Sequence, residues 1–193
     1  VWLSSPGAGV DPLAPTEVVN RPLPSHGWAS EVLSSSERFH ALVVGPGMGR
    51  AESMSVQIRE LVANTPLPVV VDGDGLFALA WSGEGAAPLL RSRTTPTVLT
   101  PHDGEFALLA GARVGVDRMA AARELAEVTS CVVLLKGPGT IVAEPTGSVY
   151  VVTVGDERMA TAGTGDVLAG IIGALLASGV PAFEAAAAGA SVS

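Results

Sequence analysis

The segment "HALVVGPGMG", His40–Gly49, decides the fold: a continuous apolar run of strand length passes straight into a glycine-rich turn. Three more runs have the same form, "LPVVVD" (Leu67–Asp72), "PTVLT" (Pro96–Thr100) and "CVVLLK" (Cys131–Lys136). Runs that are apolar at every position belong to strands covered on both faces, the condition of a parallel sheet between helices. Between them lie Ala/Leu-rich periodic segments. Ser53–Asn64 reads as an amphipathic helix, and so does Asp117–Thr129, with Met119, Ala122, Leu125, Ala126 and Val128 on its apolar face. Strands alternating with helices give an α/β fold with a mostly parallel sheet. Thr140–Val154 differs, because Pro145, Thr146 and Gly147 interrupt two β-branched runs, which predicts a hairpin forming an antiparallel edge. Residues 1–39 are rich in Pro, Ser and Gly and predict a loop with one short helix, while a final helix is expected from Pro181.

Composition narrows the functions open to such a chain. With 193 residues and 48% hydrophobic content it has material for one domain. A net charge of −8 with only 11 Lys and Arg excludes a general nucleic-acid surface. No apolar run reaches the ~20 residues of a bilayer span, and the first residues lack the basic and apolar regions of a signal peptide, so a cytoplasmic protein without a membrane role is expected. Cys131, the single cysteine, lies in an apolar run and reads as core, and the scattered His26, His40 and His102 make no zinc spacing; no metal cage built by the protein is expected.

The polar residues that remain stand where the strands end. "MATAGTGDVLAGIIGALLASG", Met159–Gly179, sets Gly163, Thr164, Gly165 and Asp166 at the mouth of an almost wholly apolar helix. Free amides and the helix dipole there suit a phosphate, whereas Asp166 alone could equally be a helix cap. The apolar character of the helix on every side predicts deep burial, which favours a functional carboxylate. Lys136, Gly137, Pro138, Gly139 and Thr140 follow a strand and offer one charge and free amides to a phosphate, or else a surface lysine and a tight turn. The "GPGMG" turn fits neither the dinucleotide nor the P-loop spacing, yet Gly47 and Gly49 permit a ligand to approach the backbone. Asp72, Asp74, His102, Asp103 and Glu105 follow two further strands; capping is expected of Asp74 and Glu105, binding of magnesium through water is open to the carboxylates, and His102 is the histidine best placed to touch a substrate. Each signal alone is weak, but turns following neighbouring parallel strands must share one edge of the sheet.

In order and spacing, "GPGMG", "VVVDGDGL", "TPHDGEFALLAG", "LLKGPGTIV" and "MATAGTGDVLAGIIGALLASG" resemble the ADP-dependent NAD(P)H-hydrate dehydratases of the ribokinase-like superfamily, from about Ala41 to the end of the chain. The resemblance implies a three-layer αβα sandwich and repair of hydrated NADH or NADPH at the expense of ADP, or of ATP, with Mg2+. It implies that Gly47, Gly49 and His102 contact the hydrate, that Lys136–Thr140 with Gly163, Thr164 and Gly165 line the nucleotide site, and that Asp166 is the catalytic base facing the substrate. It further implies a homo-oligomer, a tetramer or larger, with room in the family for an epimerase domain fused upstream. Family domains begin well before Val1 and continue past Ser193, so residues 1–193 read as part of one such domain.

Against the family pattern, Ala162 replaces the first glycine of Gly-Gly-Thr-Gly-Asp, "GDERMA" stands for Asn-Pro-Gly-Met-Ala, "DGDGL" for "DADAL" and "HDGE" for "HPGE". Two other readings compete: a small-molecule kinase of the same superfamily, of the hydroxymethylpyrimidine or thiazole kinase type, and a non-catalytic nucleotide-binding module.

Overall fold

The four apolar runs form the parallel part of a six-stranded sheet. The computed structural model describes residues 1–152 and 163–192. Strands β3 (Leu42–Val44), β4 (Val69–Val71), β5 (Thr97–Leu99) and β6 (Val132–Leu135) run parallel, and β7 (Ile141–Ala143) and β8 (Val149–Val151) add the antiparallel hairpin, in spatial order β3-β4-β5-β6-β7-β8. Before them, β1 (Trp2–Leu3) and β2 (Val19–Asn20) form a small parallel pair, followed by helix α1 (Trp28–Ser34) and one 3-10 turn. At the hairpin tip Gly147 takes φ 100°, and Glu144 N donates to Ser148 O, so the turn falls on the expected residues. Thr153 and Val154, which the sequence reading also placed in this hairpin, lie outside the described residues.

Alternation along the strands divides the core in two. Val69, Val71, Leu99, Val133 and Leu135 face one layer, made by α2 (Glu52–Asn64), α3 (Asp74–Ala80), α4 (Ala87–Arg91), α5 (Asp103–Ala110) and α6 (Arg118–Thr129) together with α1. Val70, Val98, Val132 and Leu134 face the other, where Leu168, Ile172 and Leu176 of α7 (Thr164–Ala177) and Ala185, Ala186 and Ala190 of α8 (Ala182–Val192) pack. In α6 the expected face holds for Ala122, Leu125 and Ala126, but Met119 and Val128 are exposed and the fourth buried position is Thr129. Arg93 closes the far end of this layer: its guanidinium donates to the carbonyls of Val62 and Thr65 at the C-terminus of α2 and to Leu67 O at 2.9 Å, satisfying acceptors that a helix end leaves without partners. Among the described residues no helix is long and apolar enough to cross a membrane.

The expectation for α7 is corrected. Its hydrophobicity predicted burial on all sides, but Asp166, Val167, Gly170, Ala174 and Ala177 are exposed. One face meets the sheet, with Gly173 against the Val43 side chain, while the rest borders an open groove. The exposed residues of that outer face are mostly Gly and Ala, which a hydropathy pattern scores as core although they bury little surface.

Gly45 couples the end of β3 to the start of α3. It adopts φ 123°, and a Cβ there would stand 1.9 Å from Asp72 O and 2.6 Å from Gly75 N. Gly45→Ala is therefore expected to destabilise the protein by about 3 kcal/mol through combined strain and overlap, read as a fall in the chemical denaturation midpoint. Burial pushes the Cys131 thiol up from 9.0 to about 12. The folded protein keeps a proton that the unfolded chain releases, so this contribution to stability is whole below pH 9 and is lost as pH rises towards about 12. Native protein should leave a thiol reagent unreacted at neutral pH, with one equivalent consumed on denaturation.

Candidate active site at the carboxyl edge of the sheet

Parallel strands that start in register also end together, and the expected turns are gathered by that fact. The Gly45–Gly49 turn follows β3, Asp72–Asp74 follows β4, Thr100–Asp103 follows β5 and Lys136–Thr140 follows β6. Backbone hydrogen bonds tie each to its neighbour: Asp72 N donates to Val44 O, Thr100 N to Val71 O and Lys136 N to Pro101 O, at 2.8 to 3.2 Å.

Lys136 is the electrostatic centre. Its ammonium donates to Asp72 Oδ1 at 2.7 Å and stands 3.8 Å from Glu105 Oε2, and both carboxylates are buried. Two acidic groups of low exposure require such a cation, since an unpaired buried charge is costly. The start of α7 lies over this pair, with the Cβ position of Gly165 at 3.6 Å from Lys136 Nζ and 3.5 Å from Asp72 Oδ2. Gly163 is the N-cap residue of α7 at φ 97°, so Asp166 sits within the first turn and is not the cap. Its carboxylate, in the exposed part of the helix, borders a groove of about 1000 Å3 that Gly45, Pro46, Gly47 and Met48 also line.

His102 stands in the turn after β5, at the expected edge, and also caps the next helix. Its Nδ1 accepts from Gly104 N at 2.9 Å and Glu105 N at 3.3 Å, and Glu105 Oε2 accepts from His102 N at 2.9 Å, a reciprocal cap for α5. Nδ1 is thus the unprotonated nitrogen, and Nε2 stands 3.5 Å from Glu105 Oε1. Glu105 caps as expected, but it also joins His102 to Lys136. Asp74 does not cap: α3 has no side-chain cap, and the carboxylate instead accepts from Gly49 N and Arg50 Nε, both at 2.8 Å.

Arg118, the first residue of α6, was not singled out by the sequence reading. It donates to Lys136 O at 3.0 Å and to Asp103 Oδ1 at 2.7 Å, and its NH2 lies 2.6 Å from where a Cβ on Gly137 would be. Gly137 at φ 145° and Gly139 at φ 68° carry the loop around this guanidinium, while Thr140 Oγ1 donates back to Gly137 O at 3.4 Å. A charged residue opening an amphipathic helix carries no sequence signal for such a role. Ala162 and "GDERMA" lie outside the described residues.

The arrangement thus sets one lysine, the amides of a helix N-terminus and two glycine-rich loops around a common edge, with an exposed carboxylate beside them. Such an edge can hold a phosphate chain and activate a hydroxyl.

Known proteins share this frame. A family model described as NAD(P)H-hydrate dehydratase matches residues 12–193. The bifunctional NAD(P)H-hydrate repair enzyme Nnr of Mycobacterium tuberculosis H37Rv is 51% identical over 159 residues, which are 82% of this chain and 33% of that protein. The ADP/ATP-dependent NAD(P)H-hydrate dehydratase of Bacillus subtilis, co-crystallised with ATP/Mg2+, superposes with a TM-score of 0.71 at 26% identity, over 91% of this chain and 60% of that one. A ribokinase-like superfamily protein of Enterococcus faecalis shares the fold, with a TM-score of 0.71 at 23% identity over 90% of this chain and 58% of its own. The chain therefore spans about a third of the mycobacterial relative's length and about three fifths of the solved chains. With a ribokinase-like fold, and a family match that covers every turn of the sheet edge, the chain belongs to the NAD(P)H-hydrate dehydratase family.

Proposed function

We propose that this chain carries the site for ADP- or ATP-dependent dehydration of hydrated NADH and NADPH. The observation that supports this best is the meeting of Lys136, Asp72 and Gly165 beneath the first turn of α7, one residue from Asp166. In this reading the terminal phosphates of the nucleotide lie between the Lys136–Thr140 loop and the amides of Gly163, Thr164 and Gly165. Gly47, Gly49 and His102 meet the hydrate.

The chemistry follows from the leaving group. Hydroxide departs poorly, so the C6 hydroxyl first attacks the terminal phosphorus; its proton passes to Asp166, and the bond from phosphorus to the rest of the nucleotide breaks. The ring nitrogen's lone pair then expels inorganic phosphate from C6, and loss of a proton from C5 restores the dihydronicotinamide. Amide donors aimed at the phosphoryl oxygens contribute about 3 kcal/mol each where such donors have been removed from other enzymes. In this reading the amide of Gly165 is one such donor.

Among the described residues no three His, Cys, Asp or Glu side chains converge as a metal cage. Mg2+ commonly takes one or two carboxylates, water and substrate phosphates; Asp72 and Glu105 are already engaged by Lys136 and by the cap of α5, so the ion would be held chiefly by the nucleotide phosphates and water. When bound, Mg2+ would offset charge on the phosphates. A reaction on dissolved dinucleotides fits a cytoplasmic setting.

Incubation with hydrated NADH and either ADP or ATP should restore NADH absorbance and release free phosphate in equal amounts. A stable phosphate ester with no NADH would point to a kinase, and nucleotide binding without either product to a non-catalytic module. Asp166→Asn should slow dehydration by about a thousandfold while leaving ADP affinity in calorimetry unchanged; an active variant would remove Asp166 from the base role. Lys136→Met should raise the KM for ADP by about tenfold or more, and an unchanged KM would make the ammonium a structural counter-ion only.

A further inference from the structure

The turn between β4 and α3 carries two carboxylates that leave it in opposite directions. In an extended strand, residues two apart face the same side. Here Gly73, at φ 52° and ψ −122°, breaks that alternation. Asp72 goes to Lys136 Nζ at 2.7 Å, beneath Gly165. Asp74 goes to the other loop, where Oδ2 accepts from Gly49 N and Oδ1 from Arg50 Nε, each at 2.8 Å. Two more contacts bind that loop to α3: the backbone of Gly45 lies against Gly75, and the Arg50 guanidinium lies 4.9 Å over the Phe77 ring. The Gly45–Gly49 turn is thus held by a carboxylate, a backbone contact and an aromatic face of one short helix.

The geometry points to Asp72 and Asp74 as paired positioning residues: Asp72 sets the ammonium on the nucleotide side, Asp74 sets the glycine turn on the hydrate side, and the single residue Gly73 between them fixes the separation of the two reactants. This rests on the assignment of those two sides given above. Neither carboxylate is required to touch a reacting atom. Phosphoryl transfer depends on holding donor and acceptor in line, so a rigid spacer between the two half-sites acts directly on the rate.

The test separates the two sides. In the full-length protein, Asp74→Ala should raise the KM for hydrated NADH by about tenfold, with the KM for ADP within about twofold of the parent. The Gly49 amide should exchange faster with solvent in that variant. Asp74→Asn, which keeps an oxygen acceptor for Gly49 N, should recover most of both effects. Asp72→Asn should do the converse, weakening ADP with the hydrate KM unchanged. If either variant raises both KM values together in proportion to a lowered Tm, the residues are merely structural and the proposal fails. Should the parent protein turn over no hydrate, the functional reading fails by itself; Gly49 exchange and ADP calorimetry then still decide, and unchanged protection at Gly49 in Asp74→Ala overturns the clamp.

Discussion

The ion pair between Lys136 and Asp72 is the constraint on which the site depends. It links the ends of two strands that are not adjacent, β4 and β6, across the intervening β5. Asp72 is 3% exposed and Glu105 6% exposed, so neither can rely on water for its charge. Replacing a buried pair by apolar groups is often neutral for stability, whereas removing one partner is not. The pair is therefore weak evidence for stability and stronger evidence of a requirement for charge at this point. What it holds in place is a cation beneath the start of a helix, where backbone amides already favour an anion.

Much of this was legible in the residues. Four uniformly apolar runs gave the parallel strands to within two residues at each end, because a strand covered on both faces has no polar alternation to blur it. The hairpin at Pro145–Gly147 was legible for the opposite reason, a turn signal between β-branched runs. That the glycine-rich turns would share an edge followed from parallel connectivity alone. The helices hidden in "DGDGLFALA" and "DGEFALLAG" were harder, since each is seven or eight residues long and starts inside the motif itself.

The misreadings concern side-chain direction, which a linear pattern does not carry. Asp74 looked like a cap and is a latch on a neighbouring loop, because Gly73 turns the chain by a conformation that β-carbon-bearing residues avoid. His102 was read as the histidine best placed to touch a substrate, and the pattern gave no sign that one of its ring nitrogens is also spent on its own helix. Arg118 was silent, although it reaches two turns at once. The outer face of α7 looked like core because Gly and Ala score as apolar regardless of where they point.

That outer face has a practical consequence. Among the described residues β3 pairs only with β4, and Val43 on this margin is 41% exposed. A bare sheet margin next to a shallow, oily trough is the pattern that recruits stray extended chains.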